Sequence, residues 1–260
     1  MANVAASDER RTITVGARPG GVTRGFGGKL FVTVRGAAGS DDGAVKVVDG
    51  DAAADFATQM EDPRGIAFTG KLLLVTDVRR IWRVDAKKEK TLLVDEDDFP
   101  KPPGELGDLV CDPGGKAVYV TDRGAGLVYR VGFNYKVTVV VEPGAALRRP
   151  SAIALGGRGV LLVADAETGA VFRKPLGRTA MPEKVAGDLP GVDGLDADGR
   201  GAVYASSGSA GKVWRVGATP AVVAEGLEAP ADLLLDRREQ QLVVSLEKAG
   251  SVVLLPLPRT

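Results

Sequence analysis

The chain has no histidine, one cysteine, few aromatics and no net charge. Each absence closes off some chemistry. Without histidine there is no Ser-His or Cys-His nucleophile pair, no zinc-protease helix motif and none of the commonest general base. A single cysteine makes no internal disulfide, structural zinc cluster or iron–sulfur site. Lys plus Arg and Asp plus Glu are equal at 34 each, so no basic field exists to attract nucleic acid. Aromatics at 5% are too sparse for a base-stacking surface. No apolar run reaches the roughly 18 residues of a membrane-spanning helix. Hydrophobic residues still make up 44% of the 260, too many for a disordered chain and enough for a sizeable core. The segment Met1–Arg11 is polar and lacks the apolar stretch of a signal peptide, so none is expected there.

Glycine, by contrast, is plentiful at 35, and the text repeats. Pro63, Pro150, Pro190 and Pro230 each precede a short apolar run, and the last two steps are 40 residues. The first step is 87, or two of about 43, with its midpoint on Glu105–Gly107. One step back lies Pro19. Six units follow, starting near 19, 63, 106, 150, 190 and 230. Each holds short β-branched runs separated by Gly, Asp or Pro, as in Ile66-Ala67-Phe68, Leu72–Thr76, Ile81–Val84 and Thr91–Val94. Four strand-length runs in about 40 residues are the pattern of a propeller blade. The third run alternates, with Trp82, Tyr129, Phe172 and Trp214 on one face and Arg83, Arg130, Arg173 and Arg215 on the other. The aromatics are expected to pack between blades.

The reading is therefore an all-β, six-bladed propeller with four antiparallel strands per blade. A single domain is expected over 12–257, after a flexible stretch 1–11. Unit six has only three runs, and Thr12–Val15 is a spare one. The N-terminal strand is expected to complete the last blade and so remove an exposed edge.

Pro63-Arg64-Gly65-Ile66-Ala67-Phe68, with Leu74–Asp77 and Ile81–Val84, resembles an NHL-type repeat. Val192-Asp193-Gly194-Leu195, with Asp196–Gly199 and Val203-Tyr204, resembles the senescence-marker-protein/gluconolactonase (SMP-30-like) family. The second resemblance implies a divalent metal in the channel mouth, held by a Glu of a Glu-Gly-Pro segment, an Asn of Pro-Asn-Gly and an Asp of Pro-Asp-Gly. Here Asp193-Gly194 keeps the Asp-Gly text. Pro150-Ser151-Ala152 stands where the Asn belongs, and Arg18-Pro19-Gly20 stands where the Glu belongs.

Asp108, Asp193 and Asp232 open inner strands and form the candidate metal set, because oxygen ligands suit Ca²⁺ or Mg²⁺. The competing reading has each Asp bonding backbone N–H groups. Asp193 is also the candidate catalytic ligand or base. Arg24, Arg64 and Ser151, with Arg148 and Arg149 nearby, are the ligand-binding candidates for a carboxylated molecule. Asp77, Asp122 and Asp165 recur after the second run, which marks them as turn residues; Ser207 aligns with them, whereas Val34 and Leu246 do not. Cys111 reads as a buried small hydrophobe. The Gly-rich loop Arg35–Gly43 lacks a P-loop Lys. The acidic insertion from Asp95 to Gly104 reads as a solvated linker.

Two functions remain, beside a structural or designed scaffold with no ligand at all. One is an NHL-like binding scaffold, presenting a face or the central channel to a protein or small-molecule ligand. The other is a metal-dependent hydrolase of lactones or esters, with Ca²⁺ or another divalent cation in the channel. Neither involves nucleic acid or membrane, and a monomer is expected.

Overall fold

The computed structural model describes residues 10–144, 146–157, 159–178 and 180–257. These residues form 24 strands in six four-stranded antiparallel sheets, with only two short 3-10 turns, Phe26–Gly28 and Glu96–Asp98. The six sheets are the six blades of a propeller. Their first strands line a central channel: Pro19–Arg24, Pro63–Phe68, Leu106–Cys111, Pro150–Gly156, Val192–Ala197 and Pro230–Asp236. Blade 5 begins at Val192 instead of residue 190, because Pro190 and Gly191 make the preceding turn, with Gly191 at φ +58°.

The last blade closes as its missing run implied. Arg11–Thr14 pairs antiparallel with Ser251–Pro256, Ile13 opposite Val252 and Thr14 opposite Ser251. The strand begins one residue before the expected run. Of the stretch expected to be flexible, residues 1–9 lie outside the described residues and Arg11 is in the strand.

The core consists of six apolar clusters, one at each junction between neighbouring blades. The third-strand aromatics anchor four of these junctions. Trp82 packs with Phe31 and Val45 of blade 1. Tyr129 packs with Ile81 and Val94 of blade 2, Phe172 with Tyr119 and Val128 of blade 3, and Trp214 with Ala164 and Val171 of blade 4. One expectation fails here. The insertion after Asp95 is no simple solvated linker: Phe99 is 6% exposed and meets Tyr129 edge-on, ring centroids 4.9 Å apart. The acids before it form a capped 3-10 turn, Asp95 accepting from the Glu96 N–H and Asp98 from the Asp95 N–H. Burying one ring is worth roughly 1.5–3 kcal/mol, which holds the segment down.

At the channel the blades are joined by a second, polar device. Every inner strand has a β-bulge just after it begins, such as that between Pro63 and Ile66. A bulge leaves backbone groups unpaired. In most blades a hydroxyl on the second strand takes them up. Thr76 Oγ1 accepts from the Gly65 N–H at 2.9 Å and donates to the Gly107 carbonyl of blade 3 at 2.5 Å. Ser245 Oγ accepts from the Asp232 N–H at 2.9 Å and donates to Gly20 of blade 1 at 2.6 Å. Thr33 and Ser206 make the donating half of this link, to the Arg64 and Ala231 carbonyls of the next blade. Thr121 stays within its own blade, bonding Asp108. Blade 4 has Ala164 at this position, and Ser151 substitutes from the inner strand, donating to Val192 of blade 5 at 2.6 Å.

Thr76→Val keeps the shape and removes both bonds, leaving the Gly65 N–H and Gly107 carbonyl unpaired. The expected cost is about 1–3 kcal/mol, read as a lower denaturant midpoint. A change below about 0.5 kcal/mol would show that the hydroxyl is dispensable.

Candidate functional site

The second-strand aspartates set up the site. Asp77 accepts from the Glu61 and Asp62 N–H groups, at 3.1 and 2.7 Å, and from Trp82 Nε1. Asp122 accepts from the Gly104 and Glu105 N–H groups at 3.0 Å, and Asp165 from those of Arg148 and Arg149 at 2.8 and 2.6 Å. Each ties down the connection that enters its blade. They are turn anchors, as their recurrence implied, and they place Asp62, Glu105 and Arg149 at the channel mouth.

The mouth opens into a cavity of about 440 Å³ reached by residues from all six blades. Its charged lining is Arg35, Arg64, Arg123, Arg149, Asp193 and Glu247, with Asp108 and Asp232 deeper. Arg35 grips Asp62 through Nε and Nη2, at 2.7 and 3.1 Å, and reaches Glu247 at 3.1 Å. Arg64 bonds Asp62 at 2.9 Å and Glu105 at 2.5 Å. Burial alone would raise the Asp62 pKa, but the Arg35 hydrogen bonds and the charges of Arg64 and Arg35 outweigh it, so Asp62 stays below its ordinary value. Arg123 is different. Its Nη2 lies 3.7 Å from Asp193 Oδ1, beyond hydrogen-bond reach, and its buried Nε has no partner. Burial raises the Asp193 carboxyl, and the Arg123 charge and the Gly208 N–H only partly offset this.

Deeper in the channel, three aspartates stitch inner strands together. Asp108 Oδ2 accepts from the Ile153 N–H of blade 4 at 2.9 Å. Asp196 Oδ2 accepts from Leu235 of blade 6 at 2.8 Å, and Asp232 Oδ2 from Val22 of blade 1 at 3.0 Å. Asp108, Asp196 and Asp232 are only partly exposed, and protein surrounds their carboxyls. Burial, assisted by the Asp196 charge, lifts Asp108 to about 7. Burial lifts Asp196 to about 6. Asp232 is raised well above the usual carboxylate range by burial and by the charge of Asp108.

The sequence candidates divide accordingly. Asp193, Arg64 and Ser151 line the cavity, although the Ser151 hydroxyl is occupied by Val192. Arg24 does not join them. It lies at the far end of its inner strand, where Nε bonds Asp236 at 3.0 Å. Arg148 pairs with exposed Glu167. Asp108 and Asp232 sit one repeat position further along than Asp193, and their carboxyls are committed to neighbouring amides. Among the described residues no three metal-ligating side chains converge as an ion site. Gly194, part of the family-like text, has a packing reason: a Cβ there would lie 2.7 Å from Asp232 Cα. Burial pushes the Cys111 thiol up to about 11, in keeping with an inert side chain.

Arg35, Arg123 and Glu247 were not anticipated. All three occupy one repeat position, the residue just after the second strand. Aligning Asp122-Arg123 with Val34-Arg35 and Leu246-Glu247 contains that signal.

Neither a protein-family model nor a curated protein sequence matches the chain. Solved structures do. A presumed gluconolactonase aligns at 15% identity and TM-score 0.71, over 96% of this chain and 94% of its own. A streptogramin B lyase aligns at 12% and 0.69, over 97% and 88%. A catalytically inactive His-to-Ala variant of virginiamycin B lyase from Staphylococcus aureus, with quinupristin, aligns at 13% and 0.66, over 96% and 100%. At these identities the likeness establishes the six-bladed propeller fold, consistent with a gluconolactonase-like propeller, and nothing finer.

The channel acids generate a pH prediction. An unfolded Asp ionises near pH 4, whereas folded Asp108 and Asp196 hold their protons to about 7 and 6. Between those values the folded chain binds more protons than the unfolded one, so stability falls as pH rises through the window. The melting temperature is expected to be higher at pH 5 than at pH 8, and Asp108→Asn to narrow that gap. Equal gaps in both proteins would remove Asp108 as the source.

Proposed function

We propose that this chain is a ligand-binding propeller whose channel mouth holds a small polar molecule. The observation that carries this reading is the 440 Å³ cavity, in which charged side chains converge on one end of the channel. A cavity of this size suits a small molecule, and its walls are held by bonded strands and anchored loops. Large exposed apolar side chains among the described residues are few: Tyr135, Met181, Val222 and Val223. That composition favours a small ligand over a broad protein partner. Among the described residues no helix is long and apolar enough to cross a membrane.

A hydrolase reading rests on Asp193, whose raised carboxyl faces the cavity beside Arg123. It has less support. The gluconolactonase-like metal set has lost its Glu and Asn positions, and the lyase that fails without one histidine has no counterpart residue in a histidine-free chain.

Thermal denaturation against a library of polar metabolites tests the binding reading. A ligand is expected to raise the melting temperature, by an amount that grows with its concentration. Ser209 lines the cavity, and Ser209→Trp, which narrows the mouth, is expected to abolish the rise. A rise that survives Ser209→Trp would place binding elsewhere. Added Ca²⁺ or EDTA is expected to leave the midpoint unchanged; an increase of several degrees with Ca²⁺ would favour the metal-dependent reading.

A further inference from the structure

The arginines at the mouth are not equivalent. Arg35 and Arg64 are spent on Asp62, Glu247 and Glu105. Arg123 is only 14% exposed, makes no side-chain hydrogen bond among the described residues, and keeps an orphaned buried Nε. Arg149 lines the same cavity and forms no ion pair among those residues. Arg64 and Arg149 both add like charge around Arg123. The guanidinium thus sits in a protein-lined space with its hydrogen-bonding edge unused and two cations close by.

Such an edge matches a planar oxyanion, which takes two parallel N–H bonds from one arginine. The local charge count sets the size of that anion. Asp108 and Asp232 line the same cavity but are kept proton-rich by burial; with those two left out, Arg18, Arg35, Arg64, Arg123 and Arg149 face Asp62, Glu105, Asp193 and Glu247, leaving one positive charge. A singly charged head neutralises it. A phosphate dianion would overshoot and would meet Asp193 and Glu247 in the same cavity. Resting on the ligand-binding reading above, we infer that the ligand is a small molecule bearing a single carboxylate, seated against Arg123 with Arg149 beside it. The rest of the molecule fills the cavity toward Asp193, which offers hydrogen-bonding oxygens to a hydroxyl or amide.

A ligand-observed NMR titration at low ionic strength tests this, using butyrate, its neutral isostere butyramide, and inorganic phosphate. Butyrate is expected to bind more tightly than the other two. Arg123→Gln is expected to raise its Kd by at least about tenfold, the worth of one lost charge-assisted pair. Arg149→Gln, at an exposed residue whose side chain makes no hydrogen bond or ion pair among the described residues, is expected to weaken it several-fold. Arg173→Gln, in an exposed outer pair with Glu183, is expected to change nothing. Melting curves of the Arg123 variant separate lost binding from lost fold. Butyramide equal to butyrate would overturn the carboxylate assignment while leaving the cavity reading intact. Phosphate binding more tightly would overturn it too. Butyrate binding that is unchanged in both variants, or absent altogether, would remove Arg123 as the anchor; the Ser209→Trp test judges the cavity reading separately.

Discussion

The ring depends on how its inner strands are joined. Each is the edge strand of its own sheet, facing the axis with backbone groups that no sheet partner can satisfy. Apolar packing between blades cannot solve that problem, because a buried N–H or carbonyl left unpaired costs about as much as a lost hydrogen bond. The solution is a bulge at the start of each strand and a small hydroxyl behind it. Thr33, Thr76, Ser206 and Ser245 all carry the bond from one blade to the next. A longer side chain would not fit, and an apolar one would not bond. The exception at Ala164 is instructive, because Ser151 restores the link from the opposite strand. The residue standing at a lost ligand position thus has a structural task.

The same constraint explains the channel carboxylates. Asp108 and Asp232 share one repeat position, three blades apart, and each accepts the first free amide of the following blade. The blades before them carry Gly65 and Gly194 there, where a Cβ would lie 2.7 Å from the Asp108 and Asp232 Cα atoms. The glycine lets the preceding strand close in on the backbone of the acid, while the carboxyl reaches the other way, to the amide of the following blade. Enclosure keeps the carboxyls proton-rich, so a row of acids contributes less negative charge than its formal count. The positive balance of the mouth above it benefits.

Much of the architecture is legible in the text, for a physical reason. Blade spacing, strand count and closure depend on patterns that recur six times, so the noise of any one unit averages out. The turn role of Asp77, Asp122 and Asp165 is legible for the same reason. The site is less so. A site is where repeats differ, and single departures carry no periodicity. Arg24 and Arg64 look alike beside their inner strands, but they occupy opposite ends, since they are four positions out of step in the repeat. Arg123 looks like an ordinary turn residue, and only the folded ring shows its guanidinium without a hydrogen-bond partner among the described residues. Phe99, inside an acidic and proline-rich stretch, was masked by its neighbours.

The seam between Arg11–Thr14 and Ser251–Pro256 has a consequence for how the ring is made. It joins segments about 240 residues apart, the least local pairing in the chain. All other strands find partners within a few dozen residues, so five blades can assemble while the sixth stays incomplete. During that interval the early strand waits as an open edge. Its exposed residues, Arg11, Thr12 and Thr14, are polar or charged, while Ile13 alone is buried. That composition suits a strand that must avoid strangers before it meets its partner. Once shut, the seam acts as a latch. Rupturing any single blade leaves the ring held from both sides, so losing the fold requires the latch to open or several junctions to part together. Long-lived folding, more than deep equilibrium stability, is what such closure confers.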